Sequence, residues 1–174
     1  MVKDHDQNIK ENMSHEQHSN QNIHETEDPQ DMWIKPDYYQ EMGEIKRTAN
    51  TFAKDNKELY TEILTNFAEQ LPQAELEPLT DEIWSNLENT DSYHNIQKND
   101  FDKVAKLAEG YNREWIQKLE SMKSNSPLKA PIIFKMDGKY HKVSGNTRLM
   151  LARALGLRPK AIFVRFNKQN IKNL

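Results

Sequence analysis

The sequence contains no cysteine among its 174 residues. This absence excludes disulfides, thiolate zinc sites, iron–sulfur clusters and cysteine nucleophiles. Long apolar runs are missing as well, since no stretch approaches the ~20 apolar residues that a membrane-spanning helix needs. The polar N-terminus also lacks the apolar core of a signal peptide. We therefore expect a cytoplasmic protein with no membrane partner.

Apolar residues make up only 36% of the chain, charged residues make up 29%, and the mean hydropathy is −0.97. This composition is poor for one tightly packed domain and predicts that part of the chain is not packed. Residues 1–31 have almost no apolar side chains and no periodicity, so we predict a disordered acidic tail there. Four of the six histidines lie in this tail, but their spacing matches no helical metal-binding pair, and we predict no metal site. Residues 169–174 are predicted to form a short C-terminal tail.

The net charge of −3 conceals a steep gradient along the chain. Residues 1–31 hold 2 basic and 8 acidic side chains, and residues 32–123 hold 11 and 18. Residues 124–174 hold 11 basic side chains against Asp137 alone, a charge of +10. Such a basic segment has two interpretations. It binds an anionic ligand, which would be a nucleotide or a nucleic acid, or it balances the charge of the acidic part of the same fold. The charge pattern leaves both interpretations open.

Helical periodicity dominates residues 32–75. Apolar residues recur there at steps of seven or four, which predicts one long amphipathic helix or two consecutive helices: Ile45, Phe52, Leu59, Ile63 and Phe67. Pro72 ends this pattern, because proline disfavours helical geometry at the residue before it. Residues 73–79 are interpreted as a linker.

Two further helical regions follow the linker. Thr80 is predicted to cap a short helix that contains Trp84. A second apolar run extends from Phe101 to Met122, and Gly110 divides it into two helices. Trp84 and Trp115 lie on the apolar faces of these predicted helices, so we interpret both as core residues.

The last segment changes to strand patterning. Residues 131–134 form a short apolar run, and Asp137-Gly138 predicts a two-residue hairpin turn into a return strand. After Ser144-Gly145 the pattern becomes that of a helix closed by Gly156, and residues 161–164 are typical of a final strand. The predicted fold class is α+β, with a helical N-terminal part packed on a small mixed sheet.

The segment VSGNTR, residues 143–148, lies where the return strand is expected to meet the helix. The first N–H groups of a helix lack intrahelical acceptors, and the helix dipole adds positive charge that favours a phosphate. Arg148 carries a planar fork of donors that suits a bidentate phosphate contact, and Lys142 adds to the positive field. The alternative is that Asn146 is an ordinary N-cap and Arg148 a surface side chain.

These residues resemble a known family. Pro131-Ile132-Ile133, Gly145-x-x-Arg148 and Ala154-Leu155-Gly156 are similar to the core of the ParB/sulfiredoxin superfamily, over about residues 125–166. The resemblance implies a domain over residues 76–168 that carries a helical insertion. It also implies a phosphate site for a nucleoside triphosphate, ATP or CTP, that can carry Mg²⁺. The residues implied to bind it are Gly145, Asn146, Thr147 and Arg148, with Ser144 flanking, and Lys142 is added as a binding residue for its charge.

Members of the family have several activities, and the residues of this sequence argue against some of them. Sulfiredoxin chemistry requires a cysteine where this chain has Asn146, so it is excluded. Partition clamps carry a helix-turn-helix domain after this core, whereas only eight residues follow Phe166, so we expect no such clamp. A related kinase has an acidic residue where this chain has Ser144, which argues against a kinase of that type. A phosphotransferase, a nucleotide hydrolase and a nuclease stay open.

Each of those reactions needs a carboxylate or a general base beside the phosphates. Asp137 is the only carboxylate side chain after residue 123, and we assign it to the hairpin turn. Glu114 and Glu120 are the acidic residues nearest in sequence on the preceding helices. His141, three residues before the loop, is a candidate acid or base that we expect to be exposed or partly buried. The catalytic residue is therefore not assigned, with His141 and Glu120 as candidates.

Two functions without catalysis are alternatives. The basic C-terminal segment predicts contacts with the phosphate backbone of DNA or RNA without sequence readout. The helices within residues 37–123 would instead suit a protein-interaction platform.

Overall fold

The computed structural model describes residues 32–88, 95–110 and 113–166. The predicted acidic tail over residues 1–31 and the predicted C-terminal tail over residues 169–174 lie outside these ranges. Within the ranges, no helix has both the length and the apolar character needed to cross a bilayer.

The described residues form six helices and six strands. The helices are α1 (Met42–Ala53), α2 (Lys57–Gln70), α3 (Asp81–Ser85), α4 (Phe101–Gly110), α5 (Ile116–Lys123) and α6 (Asn146–Leu155). The strands are β1 (Trp33–Ile34), β2 (Glu77–Pro78), β3 (Leu128–Lys129), β4 (Ile132–Met136), β5 (Lys139–Ser144) and β6 (Lys160–Phe166). The predicted order of hairpin, loop, helix and strand at the C-terminal end is confirmed.

The first helical region consists of two helices, because the chain turns sharply between them. Lys54 adopts a left-handed conformation with φ of 52°, which ends α1. Asn56 then caps α2, with its side-chain oxygen accepting a hydrogen bond from the backbone N–H of Leu59 at 3.0 Å. The periodicity allows one long helix or two consecutive helices, and the chain forms two.

A four-stranded mixed sheet in the order β2-β6-β4-β5 forms the centre of the fold. The central β4 and β6 are parallel, while β5 pairs antiparallel with β4 and β2 pairs antiparallel with β6. Asp137 and Gly138 connect β4 to β5 with φ of 51° and 78°, the left-handed pair that a tight hairpin turn requires. The parallel pairing of β4 and β6 needs a crossover, which β5 and α6 provide.

The sheet lies between two helical layers. Ile132, Phe134 and Met136 of β4 pack with α1 and α2 on one face, while Ile133 packs with α6 on the other. This alternation follows from the period of two in a strand. The predicted α+β class, with the N-terminal helices packed on a small mixed sheet, is therefore confirmed.

Two details differ from the sequence-based expectations. Residues 73–79 are not a simple linker, because they contain β2, which pairs with β6 at the edge of the sheet. Trp115 immediately precedes α5 instead of lying within a helix, although it still packs against the core. Trp84 is buried, with 4% of its surface exposed, as predicted.

The charge gradient is partly balanced within the fold. Lys139 forms an ion pair with Glu88 at 2.8 Å. Arg165 donates to both carboxylate oxygens of Glu77 at 3.0 Å. Some cations of the basic C-terminal segment therefore neutralise acidic residues from earlier in the chain.

Candidate functional site

Gly145 makes the turn between β5 and α6. It has φ of 95° and ψ of 15°, in the left-handed region that favours glycine. A Cβ atom at this position would lie 2.7 Å from the Cβ and 2.9 Å from the Cα of Pro131. Only glycine therefore fits this turn, and the sharp strand-to-helix junction predicted from the sequence is present.

The strand leading into the turn is irregular. Ile133 pairs with Lys142 and Ile132 pairs with Ser144, so Val143 is an extra residue in β5. Such a bulge changes the direction of the side chains around it. Here it directs Val143 into the core formed with α1 and α2, directly beside the turn.

The N-terminus of α6 has no side-chain cap among the described residues. The Leu149 N–H donates to the Gly145 carbonyl at 2.9 Å and begins the helical hydrogen bonds. Asn146 is therefore the first residue of the helix. The N-cap is Gly145, not Asn146 as in the alternative interpretation of the sequence. The amides of the first turn and the helix dipole point toward the turn, which is the arrangement that favours an anion.

A cavity of about 270 Å³ opens at this turn. Its wall is formed by twelve residues, which are Glu41, Glu44, Arg47, Arg113, Lys118, Lys142, Val143, Ser144, Gly145, Asn146, Thr147 and Arg148. All six predicted binding residues, the five implied by the resemblance and Lys142, line this cavity. The wall contains five cationic and two carboxylate side chains, which leaves a formal charge of +3.

Ser144 contributes a buried hydroxyl to this wall. Only 6% of the residue is exposed, and its Oγ atom has no hydrogen-bond partner among the described residues. Buried polar atoms in proteins are nearly always hydrogen-bonded, so this hydroxyl is available to a water molecule or to a ligand in the cavity. A phosphate oxygen beside the helix N-terminus would accept this hydrogen bond.

Arg148 is held in place by the strand β3. Its Nη1 atom donates to the carbonyl oxygen of Lys129 in β3, and the side chain is partly buried. Burial lowers the pKa of Arg148 while Glu41 raises it, yet guanidinium groups stay charged in proteins. The contact with Lys129 orients the planar fork and leaves its remaining N–H groups for an anion.

Five wall residues were not identified from the sequence. Glu41, Glu44 and Arg47 come from α1 and the residue before it, and Arg113 and Lys118 come from the region of α5. Because α1 packs on the sheet, Glu41, Glu44 and Arg47 lie close to the turn at Gly145, which is about a hundred positions later in the chain. No local motif marks them, because each is an ordinary charged residue on a helical region.

Lys118 and Arg148 both line the cavity and repel each other. Burial lowers the pKa of Lys118, Arg148 lowers it further, and Glu114 partly opposes both effects. The Lys118 Nζ atom donates to the backbone carbonyl of Glu114 at 2.7 Å. Cations held together in this way gain stabilisation from an anion placed between them.

The two catalytic candidates lie elsewhere. His141 has 6% of its surface exposed, more buried than expected, because the Phe52 ring of α1 covers it with ring centroids 4.5 Å apart. Its Nδ1 atom lies 3.4 Å from a carboxylate oxygen of Glu88. Glu120 is exposed on α5, and neither residue belongs to the cavity wall. The carboxylates that do face the cavity are Glu41 and Glu44.

Comparison of the chain with protein-family models, curated proteins and solved structures finds no match. The resemblance to the ParB/sulfiredoxin superfamily therefore stays a prediction that rests on the strand, loop and helix residues quoted above.

Proposed function

We propose that this protein binds the phosphate groups of a nucleoside triphosphate at the turn between β5 and α6. The observation that carries the proposal is the cavity itself, where an uncapped helix N-terminus meets five cationic side chains and a buried serine hydroxyl with no partner among the described residues. Each of these features independently favours an anion. The resemblance supports ATP or CTP as the nucleotide.

The wall residues have complementary roles in this proposal. The amides at the start of α6 bind one phosphate, and the Ser144 hydroxyl donates to it from β5. Arg148 contributes a bidentate contact because its fork is already oriented by Lys129. Lys118 adds a point charge from α5, which packs beside α6, and a phosphate relieves its repulsion by Arg148.

Magnesium fits this site only together with the phosphates. The described residues contain no cluster of three or more histidine, aspartate or glutamate side chains suited to hold a metal ion. Mg²⁺ is commonly bound by one or two carboxylates together with substrate phosphates, and Glu41 and Glu44 are the carboxylates on the wall. When bound, the ion would neutralise part of the phosphate charge.

A catalytic role would use the same two glutamates. A phosphotransferase, a nucleotide hydrolase and a nuclease all need a carboxylate near the phosphates. Glu41 and Glu44 replace Glu120 and His141 as our candidates for this role, because they face the cavity and the other two do not.

Binding of DNA or RNA remains the alternative from the sequence. It predicts affinity that falls steeply with salt concentration, because backbone contacts release counterions. The structure supports it less than the cavity supports a nucleotide, since Lys139 and Arg165 of the basic segment are paired with Glu88 and Glu77.

Thermal unfolding with added nucleotide tests the proposal. ATP or CTP at ten times its dissociation constant should add about 1.4 kcal/mol of stability. For a protein of this size, that raises the melting temperature by about 3–6 °C. The measurement is made by differential scanning fluorimetry with and without Mg²⁺.

Two arginine variants make this test specific. Arg148→Ala removes a wall residue and should abolish most of the shift. Arg158→Ala removes the same charge from an exposed side chain outside this wall, whose Nη2 lies 3.9 Å from Asp81 Oδ2, and should leave the shift intact. The proposal is wrong if no nucleotide at millimolar concentration raises the melting temperature. It is also wrong if Arg148→Ala and Arg158→Ala respond equally.

A further inference from the structure

We infer that the site recognises a chain of two or three phosphates and does not read the base, so that its substrate class is an oligophosphate, including inorganic tripolyphosphate. The inference rests on the proposed function, because it names the substrate class of the same cavity. It follows from the composition, the size and the charge of the cavity wall.

The described wall offers neither an aromatic ring nor an apolar slot for a nucleobase. Among the twelve lining residues, which all belong to the described part of the chain, none has an aromatic ring and Val143 alone has an apolar side chain. Sites that hold a base use aromatic stacking or an apolar slot with a few polar groups. A base attached to the bound phosphates would find no stacking partner and no apolar slot among these residues, and the polar side chains Ser144, Asn146 and Thr147 lie at the helix N-terminus that holds the phosphates, so the base contributes little to affinity.

The volume agrees with a phosphate chain. Sites that enclose a whole drug-sized molecule measure about 300–1,000 Å³. The cavity measures about 270 Å³, below the lower end of that range. The cavity is therefore small for a complete nucleotide and large enough for a phosphate chain.

The charge of the wall indicates more than one phosphate. A single phosphate monoester carries about −1.5 to −2 at neutral pH, whereas the wall carries +3 before the helix dipole is counted. The cations also come from several elements, with Arg47 on α1, Lys118 on α5, Lys142 on β5 and Arg148 on α6. Two or three linked phosphates balance this distributed charge better than one does.

A binding series on the full chain separates phosphate recognition from base recognition. Isothermal titration calorimetry measures ATP, CTP, GTP, UTP, sodium tripolyphosphate, orthophosphate and adenosine under one Mg²⁺ and salt condition. We expect the four nucleotides and tripolyphosphate to bind within about threefold of each other, which is less than 1 kcal/mol. Orthophosphate should bind at least about tenfold more weakly, and adenosine should not bind.

The outcomes distinguish this inference from the proposed function. A preference of about tenfold or more for one base, or failure of tripolyphosphate to bind while ATP binds, overturns the inference and leaves the phosphate site standing. Failure of every nucleotide and of tripolyphosphate overturns both.

A lysine pair provides the matched control. Lys118→Ala should weaken ATP and tripolyphosphate by the same factor, about tenfold for the loss of one charged hydrogen bond. Lys46→Ala removes the same charge from an exposed position on α1 that does not line the cavity, and should change neither affinity. A Lys118→Ala variant that loses ATP affinity but keeps that for tripolyphosphate contradicts the inference.

Discussion

Replacement of Gly145 by alanine is the sharpest test of the loop geometry. The backbone there has φ of 95°, a left-handed conformation that costs an alanine about 1–2 kcal/mol. The new methyl group would also lie 2.7 Å and 2.9 Å from two atoms of Pro131, one of which belongs to the backbone and does not move easily. Overpacking of this kind costs a further 1–3 kcal/mol, roughly.

The expected loss of stability for Gly145→Ala is therefore about 2–4 kcal/mol, taking partial relaxation into account. For a protein of this size, each kcal/mol lowers the melting temperature by about 2–4 °C. We expect a decrease of about 4–16 °C in thermal unfolding followed by circular dichroism.

Substitutions at two other glycines separate the cost of the left-handed backbone from the cost of the contact with Pro131. Gly138 has φ of 78°, and no atom lies within 4 Å of the position that a Cβ would take there, so Gly138→Ala has only the conformational cost of about 1–2 kcal/mol. Gly43 lies in α1 with neither a left-handed conformation nor a close neighbour, and Gly43→Ala should stabilise by up to about 1 kcal/mol. The reasoning is refuted if Gly145→Ala melts within about 2 °C of Gly138→Ala, because the contact with Pro131 would then contribute nothing.

Two further predictions concern the core between the sheet and the first two helices. Phe134→Ala should lower the free energy of unfolding in urea by about 3–5 kcal/mol, because this ring is fully buried. The control Tyr39→Ala, at a side chain that is 79% exposed, should change it by less than about 0.5 kcal/mol. Equal effects of the two substitutions would contradict the assigned core. Burial lowers the pKa of His141 below its usual 6.5 while Glu88 opposes this shift, so the unfolded chain binds the proton more readily. Stability should then fall as pH decreases below about 6.5 toward the lowered pKa, and His141→Gln should reduce the difference between unfolding free energies at about pH 7.5 and about pH 5. An unchanged difference in His141→Gln would show that another group titrates.

Local chemistry made much of the C-terminal unit predictable. The Asp137-Gly138 turn, the strand before it and the helix closed by Gly156 each follow from short-range patterns, and each is present. The six residues predicted to bind a phosphate line one cavity, because a glycine between a strand and a helix places its neighbours at a helix N-terminus; that they bind one stays a prediction.

Short-range patterns were insufficient for the acidic side of the cavity. Proximity in sequence suggested Glu120 and His141, but helix packing turned Glu120 to the surface and the Phe52 ring covered His141. Glu41 and Glu44 reach the cavity because α1 packs on the sheet face beside β5. The two-residue strand β2 was also missed, since pairing with a distant strand leaves no periodicity in so few residues.

The amino-acid sequence alone determined where strands and helices form near the loop, because backbone conformation at Gly138, Gly145 and Gly156 depends on the residue itself. Tertiary structure decided which charges surround the loop. Apolar burial selected the helix faces that pack on the sheet. The charged residues of α1, of α5 and of the segments before them were brought to the cavity as a consequence.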